Sequence, residues 1–151
     1  MSKNKPKRKE KPSGKKKPNS DPANSPASIK QKMPVWRIGM IDFEGNWGWG
    51  KLNSMYDIKT ILCKLKDFET MTWGEIEKKI TRKGTPANHL ISVDKICREA
   101  RDRLREIKLD DYDNIYTLRF SGKERLWGFR EAEILHILWW DNDHSVYQIQ
   151  N

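Results

Sequence analysis

Between positions 119 and 147 the chain gathers Arg119, Arg125, His136, His144 and Tyr147, most of them within the segment ERLWGFREAEILHILWWDNDHSVY. Arginine presents a planar fork of donors that grips an oxyanion at two points, and imidazole is the side chain whose ordinary pKa lies near neutrality. Such a set suits the handling of an anion with proton transfer beside it. His144 lies in the polar turn DNDH, where a titratable ring stays accessible. His136 is flanked on its strand face by Ile134 and Leu138 and reads as a core residue.

What the arginines can do depends on the register of their hairpin. With a loop centred on Gly122 and Phe120 opposite Glu124, Arg119 faces Arg125 and Thr117 faces Trp127, all on one face. Like charges directly opposite each other destabilise a ladder, so that arrangement makes sense around a bound anion. With Gly122 and Lys123 as a two-residue turn, Phe120 pairs with Arg125 and the arginines point to opposite faces. The sequence leaves both registers open.

A metal centre finds little support. Asp141, Asp143 and His144, with His89 as a distant addition, are ligand types, but their spacing fits no metal loop. The two cysteines, Cys63 and Cys97, form no CxxC pair and, lying in helical patterns with apolar neighbours, read as buried free thiols. GNWGWGK, residues 45 to 51, carries indoles where a phosphate-binding loop needs bare backbone. No metal and no cofactor is expected.

The elements that must position these residues follow from hydrophobic period and caps. VWRIGMIDF, residues 35 to 43, alternates as a strand and ends in the glycine-rich turn holding Trp47 and Trp49. Ser54 with Asp57 starts a first helix whose apolar stripe is Ile58, Ile61, Leu62, Leu65 and Phe68, and Thr72 with Glu75 makes a capping box for a short second one. A third helix is expected over residues 93 to 107. NIYTLRF, RLWGFR and ILHILWW then read as an antiparallel meander of three strands, with SVYQI as a short fourth. The expected fold class is α+β, a single domain over 33 to 151 with its helices on one sheet face.

The first 32 residues contain no aromatic side chain and read as a disordered basic tail. They carry eleven basic and two acidic residues in a chain of net charge +9, so the remaining 119 are formally neutral. The attraction to polyanions resides in the tail, where Lys15, Lys16 and Lys17 would meet phosphates in a sequence-independent, salt-sensitive way. No apolar run approaches the roughly 20 residues of a membrane span, and no secretory signal is present, so a cytoplasmic location is expected.

The order of elements resembles the RelE/ParE toxin superfamily, as does the hairpin LRFSGKERLW, residues 118 to 127, with a Leu-Arg, a Ser-Gly turn and an Arg followed by Leu. SVY, residues 145 to 147, resembles the tyrosine-bearing C-terminal segment of that superfamily. The resemblance implies an endoribonuclease that cleaves messenger RNA without a metal, often on the ribosome, with an antitoxin protein as partner. It implies that Arg125 meets the scissile phosphate, Arg119 supports it, His144 is the general acid and Tyr147 positions the RNA. Ile115 and Thr117 stand where members place lysines, and DNDH where some place an arginine. A general base is not identified; Glu106 and Asp110 are the acidic residues before the sheet. Lys123, Trp47, Trp49 and Trp127 are the domain's expected RNA contacts, the indoles by base stacking. The alternative is a non-catalytic nucleic-acid- or ribosome-binding module with a basic arm, and a third reading is a protein-interaction domain with exposed aromatics.

Overall fold

The computed structural model describes residues 25–148, so Lys15, Lys16 and Lys17 lie outside the described residues. Within them are four α-helices and a five-stranded mixed sheet, an α+β fold. The helices are α1 (Pro26–Lys30), α2 (Met55–Phe68), α3 (Trp73–Lys78) and α4 (Arg98–Glu106). The strands are β1 (Val35–Arg37), β2 (His89–Ser92), β3 (Asn114–Arg119), β4 (Arg125–Glu131) and β5 (Ile134–Asp141), in spatial order β1-β5-β4-β3-β2. β1 runs parallel to β5, and every other neighbouring pair is antiparallel.

Local signals in the sequence account for two helix starts. Ser54 Oγ accepts from the backbone N–H of Tyr56 and Asp57 at 3.1 and 3.4 Å. Thr72 and Glu75 form a reciprocal capping box at 3.2 and 2.9 Å, worth about 1 kcal/mol. The stripe Ile61, Leu65 and Phe68 of α2 and Trp73 and Ile76 of α3 are buried against Tyr116, Leu118, Leu126, Leu135 and Ile137 of the sheet. Leu62 and Cys63 turn out to solvent, so Cys63 is not the buried thiol expected; Cys97 is half-buried.

Helices cover both sheet faces rather than one. Ala100 and Leu104 of α4 pack on the other side, with Ile115, Trp127, Phe129, Leu138 and Trp139. β4 and β5 are apolar on both faces, and a central strand of that kind must be covered twice. The third helix is also shorter than the period suggests. Ser92 Oγ caps a single 3-10 turn over Val93–Lys95, and Ile96 and Cys97 stay extended, with the Cys97 N–H donating to the Val146 carbonyl at 2.8 Å.

Three further boundaries differ. The expected tail includes α1, whose Ile29 packs on the α3 side and whose following Lys32 carbonyl accepts from Trp73 N at 2.9 Å; Ser25 and Pro26 start it by side-chain cap and fixed φ. β1 stops at Arg37, where the chain turns back with Ile41 N on the Ile38 carbonyl. Residues 145–148 form no strand, because their backbone is held instead by Asp141 and α4. β2 was not foreseen; it is four residues long and pairs with β3, a partner distant in sequence.

A β-bulge decides which β5 side chains meet the arginines. Trp127 pairs with Trp139 but Gly128 pairs with Ile137, so Leu138 is the extra residue and Leu138 and Trp139 face the same side. The strict alternation expected of ILHILWW breaks there, which turns Trp139 and Asp141 toward the α4 face. Gly128 permits the close approach: a Cβ at that position would collide with the His136 carbonyl oxygen.

A candidate phosphate-binding face at the open end of the sheet

The observed hairpin register is the one that sets like charges together. Arg119 pairs with Arg125 and Thr117 with Trp127, and the Phe120 N–H donates to the Glu124 carbonyl at 2.9 Å to close the SGKE loop. On β5 the residue opposite Arg125 is Asp141, and on β2 the residue opposite Thr117 is His89. Two rows therefore lie side by side on the α4 face: His89, Thr117, Trp127 and Trp139, then Arg119, Arg125 and Asp141.

The Arg125 side chain folds over the loop. Its Nη1 donates to the carbonyls of Ser121, Gly122 and Glu124 at 3.0, 2.9 and 3.1 Å, and the residue is 8% exposed. Nε and Nη2 make no bond within the described chain and are not enclosed, which leaves that edge of the fork at the opening. Arg119 is half-buried, its Nε at 3.5 Å from the Ser121 carbonyl. Neither arginine belongs to an ion pair among the described residues. Burial and the Arg119 charge pull the Arg125 guanidinium below its ordinary pKa, with Asp141 working the other way.

Asp141 builds the turn that presents His144. Its fully buried carboxylate accepts from Trp127 Nε1 at 3.2 Å, Ser145 N at 2.9 Å and Val146 N at 3.0 Å. His144, at the apex, adopts a left-handed φ of 58° and is half-buried. Burial lowers its imidazole pKa; Arg125 and Arg119 lower it further, while Asp141 and Asp143 oppose them. Lys123 lies exposed on the hairpin loop and its charge reaches Asp143, so it stands on the rim of the same face.

Arg119, Arg125, His144 and Lys123 are thus brought together, and other expected contacts are not. Tyr147 is half-buried against the α4-side cluster and makes no hydrogen bond to either arginine or to His144, because the Val146 carbonyl anchors its segment to Cys97. Trp127 is 0% exposed, enclosed by both neighbouring strands, and cannot stack on a base. Trp47 is also core: its indole N–H donates to Ser145 Oγ at 2.9 Å and its ring lies 5.2 Å from that of Trp139. Trp49 is half-buried against the opposite face, donating to the Leu138 carbonyl at 3.2 Å, away from the arginines. Glu106 is engaged with Arg103 on α4 at 2.9 Å, so it offers no base to this face.

Two further residues belong here, Asn88, which the sequence did not single out, and His89, which it offered only as a distant metal ligand. Asn88 is buried and bridges α3 to the site, donating from Nδ2 to the Ile76 carbonyl at 3.0 Å and accepting from Arg119 N at 2.7 Å. His89 follows it on β2, a four-residue strand whose sequence HLIS does not alternate polar and apolar side chains, so no strand period marked it. No group of metal ligands forms among the described residues, and His89 does not join Asp141 and Asp143 in one. No helix among them is long and apolar enough to cross a membrane. No family model, curated protein or solved structure matches the chain.

Proposed function

We propose that this protein is a metal-free endoribonuclease of the RelE-like kind, acting on messenger RNA at the Arg119–Arg125 face. The observation that carries the reading is the direct opposition of two arginines without carboxylate partners, with the field of both reaching His144. An unpaired cationic couple on a half-enclosed surface is stabilised by an oxyanion that accepts from both forks. Phosphate charge between the arginines would offset the cations that lower the His144 pKa, moving that imidazole toward the protonated form a general acid needs. Backbone cleavage then forms a bond from the 2′-oxygen to phosphorus and breaks the bond to the 5′-oxygen, with charge on the phosphorane met by the arginines.

The reading brings with it a cytoplasmic setting, the ribosome as the platform that presents the message, and an antitoxin protein as neutralising partner. Incubation of the purified full-length chain with RNA is its test, with products ending in 2′,3′-cyclic phosphate and 5′-hydroxyl expected. Loss of cleavage in both Arg119→Ala and His144→Ala supports it; intact RNA with the wild type, free or on ribosomes, overturns it. The second reading is a non-catalytic RNA-binding module, favoured by the commitment of Arg125 Nη1 to three loop carbonyls. RNA bound but uncut, with binding abolished by removal of residues 1 to 24, selects that one.

A further inference from the structure

Building on the ribonuclease reading, we propose that His89 is the proton acceptor of the site, taking the 2′-hydroxyl proton while His144 supplies one to the leaving 5′-oxygen. The placement rests on strand register. His89 stands directly opposite Thr117, two positions before Arg119 on β3 and on the same face, and such diagonal neighbours lie roughly 7–8 Å apart. Asn88 fixes this corner through its bond to the Arg119 backbone. The arginine couple is therefore flanked by imidazoles, His89 from β2 and His144 from the turn after β5.

The local chemistry suits acceptance of a proton. Thr117 Oγ1 is enclosed without a hydrogen-bond partner and Thr117 is only 3% exposed, while the enclosed His89 Nδ1 makes no close hydrogen bond and the Pro86 carbonyl is the acceptor that acts on its ring. Nε2 is the His89 nitrogen left accessible, since it is neither enclosed nor bonded within the described chain. Burial and the Arg125 charge lower the pKa of the ring, with the Pro86 carbonyl working the other way. A neutral imidazole with a free lone pair at neutral pH is the state a base requires. His144 has carboxylates beside it to retain a proton; no carboxylate acts on His89.

The step balances. His89 gains the 2′-hydroxyl proton as that oxygen bonds to phosphorus, the bond to the 5′-oxygen breaks, and the departing oxygen takes the His144 proton. Solvent then exchanges the two protonation states back.

A substrate series separates the roles. On ordinary RNA, His89→Gln and His144→Ala of the full-length chain are each expected to lose about 100-fold or more in rate. On RNA whose scissile 5′-oxygen is replaced by sulfur, the leaving thiolate needs no proton, so His144→Ala recovers while His89→Gln stays slow. Recovery of His89→Gln instead, or wild-type rates from it on ordinary RNA, overturns the assignment and leaves the ribonuclease reading standing. A wild type that cuts neither substrate sinks that reading and this assignment with it. Should His89→Gln fail to fold in a thermal melt, the wild-type pH profile serves: cleavage should fall on the acid side with a midpoint below 6.5, the ordinary histidine value, and should still do so in His144→Ala. Absence of that acid limb overturns the proposal.

Discussion

Arg119 and Arg125 face each other across the β3–β4 ladder with no acidic side chain among the described residues bonded to either. Like charges in directly opposed positions destabilise a sheet by roughly 0.2–1 kcal/mol, so the couple is held in place by the rest of the hairpin. Arg119→Gln is expected to leave the melting temperature unchanged or raised while weakening RNA binding. Inorganic phosphate should raise the wild-type melting temperature more than that of Arg119→Gln. Equal shifts in both would remove the anion site.

Asp42 organises the opposite end of the α4 face. Arg103 grips its carboxylate through Nε and Nη2 at 2.8 and 2.7 Å, and Trp139 Nε1 donates to it at 2.8 Å. Asp42→Ala leaves a buried indole N–H without its acceptor and Arg103 with Glu106 alone, and a loss of about 3 kcal/mol is expected in urea unfolding.

The same residue sets an acid-dependent stability. Burial raises the Asp42 pKa, but the bonds from Arg103, Trp139 and Glu44 N outweigh it and the net shift is downward. A carboxylate lower in the folded than in the unfolded state stabilises fully above its unfolded value near 4 and loses that contribution as pH falls through the folded value. The urea midpoint should therefore drop in that window, and Asp42→Asn should drop less steeply there. Parallel curves would assign the acid sensitivity elsewhere.

Gly128→Ala tests the bulge. A methyl group must displace the His136 carbonyl, at an expected cost of about 1–3 kcal/mol from overpacking. Because the bulge sets which way Trp139 and Asp141 point, the indole fluorescence and the His144 NMR resonance should move together. An indole change with the His144 resonance unmoved would mean that the bulge does not govern the site.

The thiols should differ in reactivity. Cys63 is exposed on α2, whereas burial pushes the half-buried Cys97 thiol up. A disulfide reagent at neutral pH is expected to modify Cys63 rapidly and Cys97 slowly, and Cys63→Ser should abolish the fast phase.

The sequence exposed what is locally encoded. The Ser54 and Thr72 caps, the α2 stripe and the α+β class depend on residues a few positions apart. The hairpin register was one of two because both loops suit SGKE; the closing Phe120 to Glu124 bond chose between them. β2 escaped because four residues carry too little periodicity and its partner lies far along the chain. His89 lies on that strand, and without the strand the sequence offered it only as a distant metal ligand. Trp47 and Trp127 misled for a different cause: indoles serve cores and surfaces alike, and their N–H groups found Ser145 and Asp141.

Pro26, Ile29 and Lys30 of α1 line one groove of about 470 Å³ together with Asn88, His89 and Leu90. The strongly basic segment before Ser25 is thus joined to the fold next to the strand that carries His89, although the two are far apart in sequence. That groove opens on the face of Tyr116 and Arg130, the other side of the sheet from Arg119 and Arg125, so a polyanion held by those lysines would meet the arginine couple around the β2 edge. Encounter and chemistry then become separately adjustable. Under the proposed function, changes in lysine number would alter how often a strand arrives, while the formally neutral remainder would keep only the charges that the proposed reaction uses.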